Sequence, residues 1–267
     1  MSTPPGVRVV LAPNAGIMTG PGTNQYLVGE GDGAVLIDCA VLDDENRRRF
    51  AAAGSRPQAL WLTHIHPDHV GGAHAARETF GLPIAVHRSR RDFVVGPGPL
   101  RAERALDDGD ELAFPGGRLR VIHAPGHESG HVCYYEPERR WLFTGDNVLS
   151  IGTAVIAPPD GNMRQYLATL ARLQALDLAV IFPGHGPPID TPHEKLAEYI
   201  AHRQERERQV LDALRAGATS PEEMVPRIYT DLHPGLFWAA AAQLRAHVDK
   251  LVAEGVVANE EGRLRLA

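Results

Sequence analysis

The chain has 267 residues, of which 43% are hydrophobic and 22% charged, and its formal net charge is -6. That balance excludes a disordered chain, and no apolar run approaches the roughly 18 residues of a membrane-spanning helix. The acidic excess weighs against a protein whose main partner is nucleic acid.

The opening residues, Met1 to Gly6, have neither the basic start nor the apolar stretch of an export signal, so the expected compartment is the cytoplasm. Residues 7–12, 24–29 and 33–40 read as strands, the last two joined by the turn signal Gly31-Asp32-Gly33. A helix is expected over 43–53. The short apolar run Ala59-Leu60-Trp61-Leu62-Thr63 reads as a strand that ends at His64. A helix over about 70–80 and a strand over 83–87 follow. Residues 88–110 are rich in charge, glycine and proline and read as loop with a short helix. Strands return at 117–123, 131–136 and 141–144. Met163, Tyr166, Leu167, Leu170, Leu173 and Leu176 give residues 162–176 the apolar stripe of a helix. Residues 178–182 read as a buried strand. Cys39 and Cys133, the two cysteines, lie among strand-like residues and are expected to be buried thiols.

Hairpins interrupted by helices predict an α+β fold of stacked sheets with helices outside. The texture changes near Pro192, which divides the chain into domains at 1–190 and 191–267. The second opens with a long charged helix over 193–215. Ser220 and Pro221 suit the N-cap and first turn of another helix. A helix over 236–254 and a strand-turn-strand tail complete the outline of a winged-helix-like module.

Chemistry concentrates in Thr63-His64-Ile65-His66-Pro67-Asp68-His69-Val70-Gly71-Gly72. Here three histidines and one aspartate fall within six positions directly after a strand. Imidazole nitrogens and carboxylate oxygens are the ligands of catalytic zinc. One loop does not enclose two metals, so further ligands are expected elsewhere. His127, Asp146 and His185 each follow a glycine at the end of a strand-like run. Functional residues gathered at strand ends are how a rigid scaffold builds a site.

These segments resemble the metallo-β-lactamase superfamily from about residue 20 to residue 190. The resemblance implies a four-layer αββα sandwich with two metals at one edge. It implies His64, His66 and His127 on the first metal, Asp68, His69 and His185 on the second, and Asp146 bridging them. Asp38 matches an aspartate that orders the ligand loop from behind. The implied cofactor is two Zn²⁺ per chain, with manganese or iron as alternatives. The implied reaction is hydrolysis by a water whose pKa the two metals lower, with Asp68 or Asp146 orienting it.

Within the superfamily, Pro21-Gly22-Thr23-Asn24-Gln25-Tyr26-Leu27-Val28-Gly29, Pro183-Gly184-His185-Gly186-Pro187 and Tyr199-Ile200-Ala201-His202-Arg203 are similar to the beta-lactamase-like protein 2 group. This extends the resemblance over nearly the whole chain. It implies an ester or phosphodiester substrate, single-stranded RNA among them. A glyoxalase II-type thioesterase and an iron persulfide dioxygenase are the alternatives. Antibiotic-hydrolysing members lack an aspartate at the position of Asp146, which argues against a native β-lactamase. A regulatory nucleic-acid-binding role would suit a chain with missing ligands, and none is missing. The expected partner is a small anionic ester, thioester or RNA, with no membrane, and a homodimer is open. His202, Arg203 and Arg206 are candidates to grip an anionic substrate. His202 and Arg206 share one helix face, and a solvated face laced by Glu205 and Glu207 is the other reading.

Overall fold

A computed structural model describes residues 3–29, 33–54 and 56–267. The chain forms two compact units. The first comprises residues up to 124 together with 130–153 and 177–192, and the second comprises 125–129, 154–176 and 193–267.

The first unit is two sheets packed face to face. One has the order β1 (Val7–Leu11), β2 (Asn24–Val28), β3 (Val35–Ile37), β4 (Ala59–Trp61), β5 (Ile84–His87) and β8 (Arg104–Leu106). The other has the order β13 (Val180–Pro183), β12 (Trp141–Gly145), β11 (Val132–Glu136), β10 (Gly117–His123) and β9 (Glu111–Phe114). Side chains of a strand alternate between faces, and the sequence uses both faces of the first sheet. Tyr26, Val28, Val35, Ile37 and Trp61 meet Leu112, Val121, Tyr134, Phe143 and Phe182 in the inter-sheet core. Leu27, Leu36, Leu60 and Leu62 face the other way, against Phe50, Val70, Ala73 and Ala76. Those last residues belong to or adjoin helices α1 (Asp44–Ala52), α2 (Pro67–Val70) and α3 (Ala73–Phe80).

Three expectations change in this unit. The strand expected over 33–40 stops at Ile37, because Asp38 takes a left-handed backbone, φ 58°. The helix expected over 70–80 is two helices broken at Gly71-Gly72. Residues 88–110 hold a hairpin, β6 (Asp92–Val95) with β7 (Gly98–Arg101), and β8 of the large sheet. Strands of three or four residues carrying Arg, Gly and Pro have too short a period to read by alternation. The turn expected at Gly31-Asp32-Gly33 lies mostly outside the described residues. Both cysteines are buried thiols.

The second unit holds α4 (Met163–Gln174), α5 (Pro192–Arg215), α6 (Pro221–Ile228), α7 (Phe237–Ala253) and the hairpin β14 (Val257–Glu260) with β15 (Arg263–Leu266). Ser220 caps α6 by accepting the Glu223 N–H, and Pro221 opens the helix. Val210, Ala213 and Leu214 of α5 pack in one core with Met224, Val225, Leu244, Val248, Leu251, Val257 and Leu264. The end of the long helix is therefore part of this module's interior.

Candidate metal centre

β4 pairs in parallel with β3 and β5, and β12 in parallel with β13. Parallel neighbours end on the same side of a sheet, so the loops leaving them share an edge. β3 delivers Asp38 there, β4 delivers residues 63–69, β12 delivers Asp146 and β13 delivers His185. Pro67 at the first position of α2 turns the chain into a single helical turn that carries Asp68 and His69.

Asp68, His69, Asp146 and His185 converge, each offering one candidate ligand atom within 4.8 Å of all the others. His69 Nε2 lies 3.1 Å from Asp146 Oδ1, and His185 Nε2 lies 3.2 Å from Asp68 Oδ2 and 3.4 Å from Asp146 Oδ1. Each imidazole is aimed by a bond at its other nitrogen. His69 Nδ1 meets Asp38 Oδ2 at 2.8 Å, and His185 Nδ1 meets the Gly22 carbonyl at 3.1 Å. Asp38 also accepts from the Thr63 N–H and Thr63 Oγ1, both at 2.8 Å. Asn24 Nδ2 donates to the carbonyls of Pro183 and Gly186, which fixes the loop around His185. Gly184 leaves the space that this crowding needs, since a Cβ there would sit 2.6 Å from Asp146 Oδ1 and 2.7 Å from His69 Cε1.

The charges are tightly coupled. Burial works against an ionised Asp146, but His69 and His185 hold its pKa well below the ordinary carboxylate value. Burial likewise works against a charged His69, and Asp146 and Asp38 hold its pKa well above the ordinary value. His185, opposed by burial and supported by Asp146 and Asp68, is pushed up to about 9. His64 behaves oppositely: burial and the rings of His69, His131 and His66 push its pKa down. A neutral imidazole is the form that ligates a metal. His64 and His66 meet edge to face, with ring centroids 4.6 Å apart. Carboxylates and imidazoles gathered in a buried space are costly without a cation. Nitrogen and oxygen donors of this kind suit zinc, manganese or iron.

His127 lies in the second unit, on the loop after β10. It is 7% exposed, and its Nδ1 is 2.7 Å from the Val155 carbonyl. The loop is held by the Asn162 N–H on the Gly126 carbonyl and by Thr169 Oγ1 on the Pro125 carbonyl, both at 2.8 Å. His202, Arg203 and Arg206 lie on α5. Arg203 is fully buried, which neither a solvated face nor a surface grip anticipates. Its Nη2 donates to the Ala154 carbonyl at 2.7 Å, and its guanidinium lies 5.2 Å from the Tyr166 ring centre. Arg206 stacks on Tyr229 at 4.1 Å and is half-buried, as is His202. Sequence reasoning passed over His131 and Asn147, both buried beside Asp146. The signal available for them was a second histidine four places after His127 and an amide directly after Asp146.

A sandwich that brings histidines and aspartates to the ends of its parallel strands defines a metal-site protein. Residues 18–185 match the model of the Metallo-beta-lactamase superfamily, and residues 220–263 match the Beta-lactamase associated winged helix domain. The chain belongs to the metallo-β-lactamase superfamily, a group of hydrolases, and carries its associated winged helix. It is 31% identical to a beta-lactamase-like protein 2 homolog of Caenorhabditis elegans over 95% of this chain and 86% of that protein. It is 35% identical to an atrochrysone carboxyl ACP thioesterase of Paecilomyces divaricatus over 79% of this chain, spanning 65% of that protein, just under two thirds of its length. A metallo-beta-lactamase family protein of Thermus thermophilus superposes with a TM-score of 0.84 over 98% of this chain and 99% of its own, at 23% identity.

Proposed function

We propose that the chain is a two-metal hydrolase of thioesters, with zinc as the resident metal. The observation that carries this reading is the convergence of half-buried Asp68 and Asp146 with buried His69 and His185 within 4.8 Å. In this reading, which follows the family resemblance, His64, His66 and His127 would hold one ion, Asp68, His69 and His185 would hold the other, and Asp146 would serve both. Two such ions, when bound, lower the pKa of water and polarise a carbonyl or phosphoryl oxygen.

The chain's own residues do the rest. Asp38 holds His69 by its Nδ1, and the Gly22 carbonyl holds His185 by its Nδ1, so that both Nε2 atoms face the carboxylates. Asp68 is half-buried and lies at the open side of the group. Burial opposes its charge, but the His185 hydrogen bond keeps its carboxyl ionised below the ordinary range. As a carboxylate it accepts a hydrogen bond from the attacking water and orients it, a part that Asp146 shares. His202 and Arg206 are the candidates to meet an anionic part of the substrate. Buried Arg203 supports the backbone at Ala154 from the same helix.

The thioester is favoured by the relative named as a carboxyl ACP thioesterase, at 35% identity. Single-stranded RNA is the second reading, implied by the resemblance to the beta-lactamase-like protein 2 group, a homolog of which matches over 95% of the chain. Purified protein with its metal content measured should be assayed on acyl thioesters, simple phosphodiesters, single-stranded RNA and a β-lactam. Turnover of thioesters that chelation abolishes and zinc restores is expected. Metal-dependent cleavage of RNA with inert thioesters would replace the first reading by the second.

A further inference from the structure

We infer that His131 is a positioning residue of the metal centre, bracing His64 with its ring and receiving the Asp146 main-chain N–H at its tip. The inference rests on the two-metal reading. His131 is fully buried, immediately before β11, and belongs to neither candidate ligand group. Its ring stacks on that of His64, with centroids 4.8 Å apart and planes 25° apart. The Asp146 N–H donates to its Nε2 at 3.3 Å. One side chain thus touches a residue proposed for the first metal and the residue proposed to bridge both.

The ring is itself held from behind. With Nε2 accepting, Nδ1 carries the ring proton, and the Asn147 side-chain amide lies against it at 2.8 Å and beside the Ala124 carbonyl at 2.9 Å. The Ala124 N–H in turn bonds to the His131 carbonyl at 2.9 Å. Gly145 makes the close approach open to His131: a Cβ there would lie 2.8 Å from its Nε2 and 2.5 Å from Thr63 Oγ1. Gly145 also has φ 48°, so the backbone that presents Asp146 is one that favours glycine. A flat ring against an imidazole and a polar acceptor at its far end are two separate demands, and histidine meets both. Residues that orient ligands without binding the metal typically change metal affinity by about 10–100-fold when altered.

The two demands separate in two variants. His131→Phe keeps a flat ring against His64 and removes the acceptor. His131→Gln keeps an acceptor near the Nε2 position and removes the ring. Cobalt(II) is titrated into metal-free full-length protein, with affinity read by chelator competition, coordination by the visible absorption bands, and fold by near-ultraviolet circular dichroism. Both variants are expected to lose about 10–100-fold in affinity and to shift the bands. Asn147→Ser, which loosens the ring while leaving it in place, is expected to shift both in the same direction by less. Folded His131 variants with wild-type affinity and bands overturn the inference. If neither folds, an Asn147→Ser protein with wild-type affinity and bands overturns it. Wild-type protein that takes up no cobalt overturns the two-metal reading itself, an outcome distinct from the others.

Discussion

Asp38 Oδ2 and His69 Nδ1 lie 2.8 Å apart, both side chains almost wholly buried. The contact depends on the left-handed turn at Asp38, which ends β3 and swings the carboxylate under the ligand loop. With that bond in place, His69 presents only Nε2 to the site. Asp38→Ala is therefore expected to weaken metal binding by roughly 10–100-fold, the usual effect of removing an outer partner of a ligating histidine. Chelator competition measures it, and Asp38→Asn should recover part of the loss. Unchanged affinity in Asp38→Ala would remove Asp38 from the site.

Asp146→Ala should damage activity more than folding. Its carboxylate lies at the meeting of His69 and His185 and has no place in the apolar cores. The loss in kcat is expected to exceed the roughly 100-fold upper range for an outer partner. The unfolding free energy should change by no more than the roughly 0.5–3 kcal/mol common for single substitutions. Comparing kcat, metal content and thermal midpoint with the parent checks this, and full activity would exclude a bridging role.

His87 gives a pH dependence separate from the metal site. Burial, followed by the stacked ring of His123 at 4.1 Å, lowers its pKa from 6.5 to about 4, with Arg88 and Arg90 adding to the effect and Asp107 opposing it. The unfolded chain therefore takes up a proton before the folded one does. Stability from this group is complete above pH 6.5, falls as the pH drops from 6.5 to about 4, and is level below that. Denaturant titrations across this range, with His87→Gln as control, should show a shallower slope in the variant. Identical slopes would contradict the assignment.

Arg203 and Arg206 should separate by the kind of damage they cause. Arg203→Ala empties a buried place and leaves the Ala154 carbonyl without its donor, so a loss of about 1–3 kcal/mol is expected in unfolding experiments. Arg206→Ala gives up a stacking contact of about 0.5–1 kcal/mol and, if it meets an anionic substrate, raises KM with less change in kcat. An unchanged KM on thioesters and RNA alike would leave Arg206 as a support for Tyr229.

The candidate ligands were legible because few side chains can hold a metal, and the cluster at His64, His66, Asp68 and His69 is dense enough to stand out in a single sequence. Asp38 was legible only through the resemblance, since its part depends on a backbone turn that periodicity does not report. His131 escaped because its contacts, the His64 ring, the Asn147 amide and the Asp146 main-chain N–H, are made only in the folded chain, and its spacing from His127 is uninformative alone. β6, β7 and β8 escaped because their charged and turn-forming residues hide a period of two. Arg203 misled for a related reason: a charged residue in a charged helix reads as exposed, while tertiary packing placed its guanidinium against Tyr166 and a carbonyl.

The last turns of α5 carry a practical consequence for protein engineering. Val210, Ala213 and Leu214 are interior residues of the winged-helix module, although they sit well before Ser220, where residues 220–263 begin to match that domain. Cutting the chain at Arg215 would pass through a shared core, leaving three apolar side chains on one fragment and their packing partners on the other. Chimaeras that exchange the module between relatives should therefore carry the whole of α5 with it, and residues 154–176 as well, since Ala154 and Tyr166 contact Arg203 within the same unit.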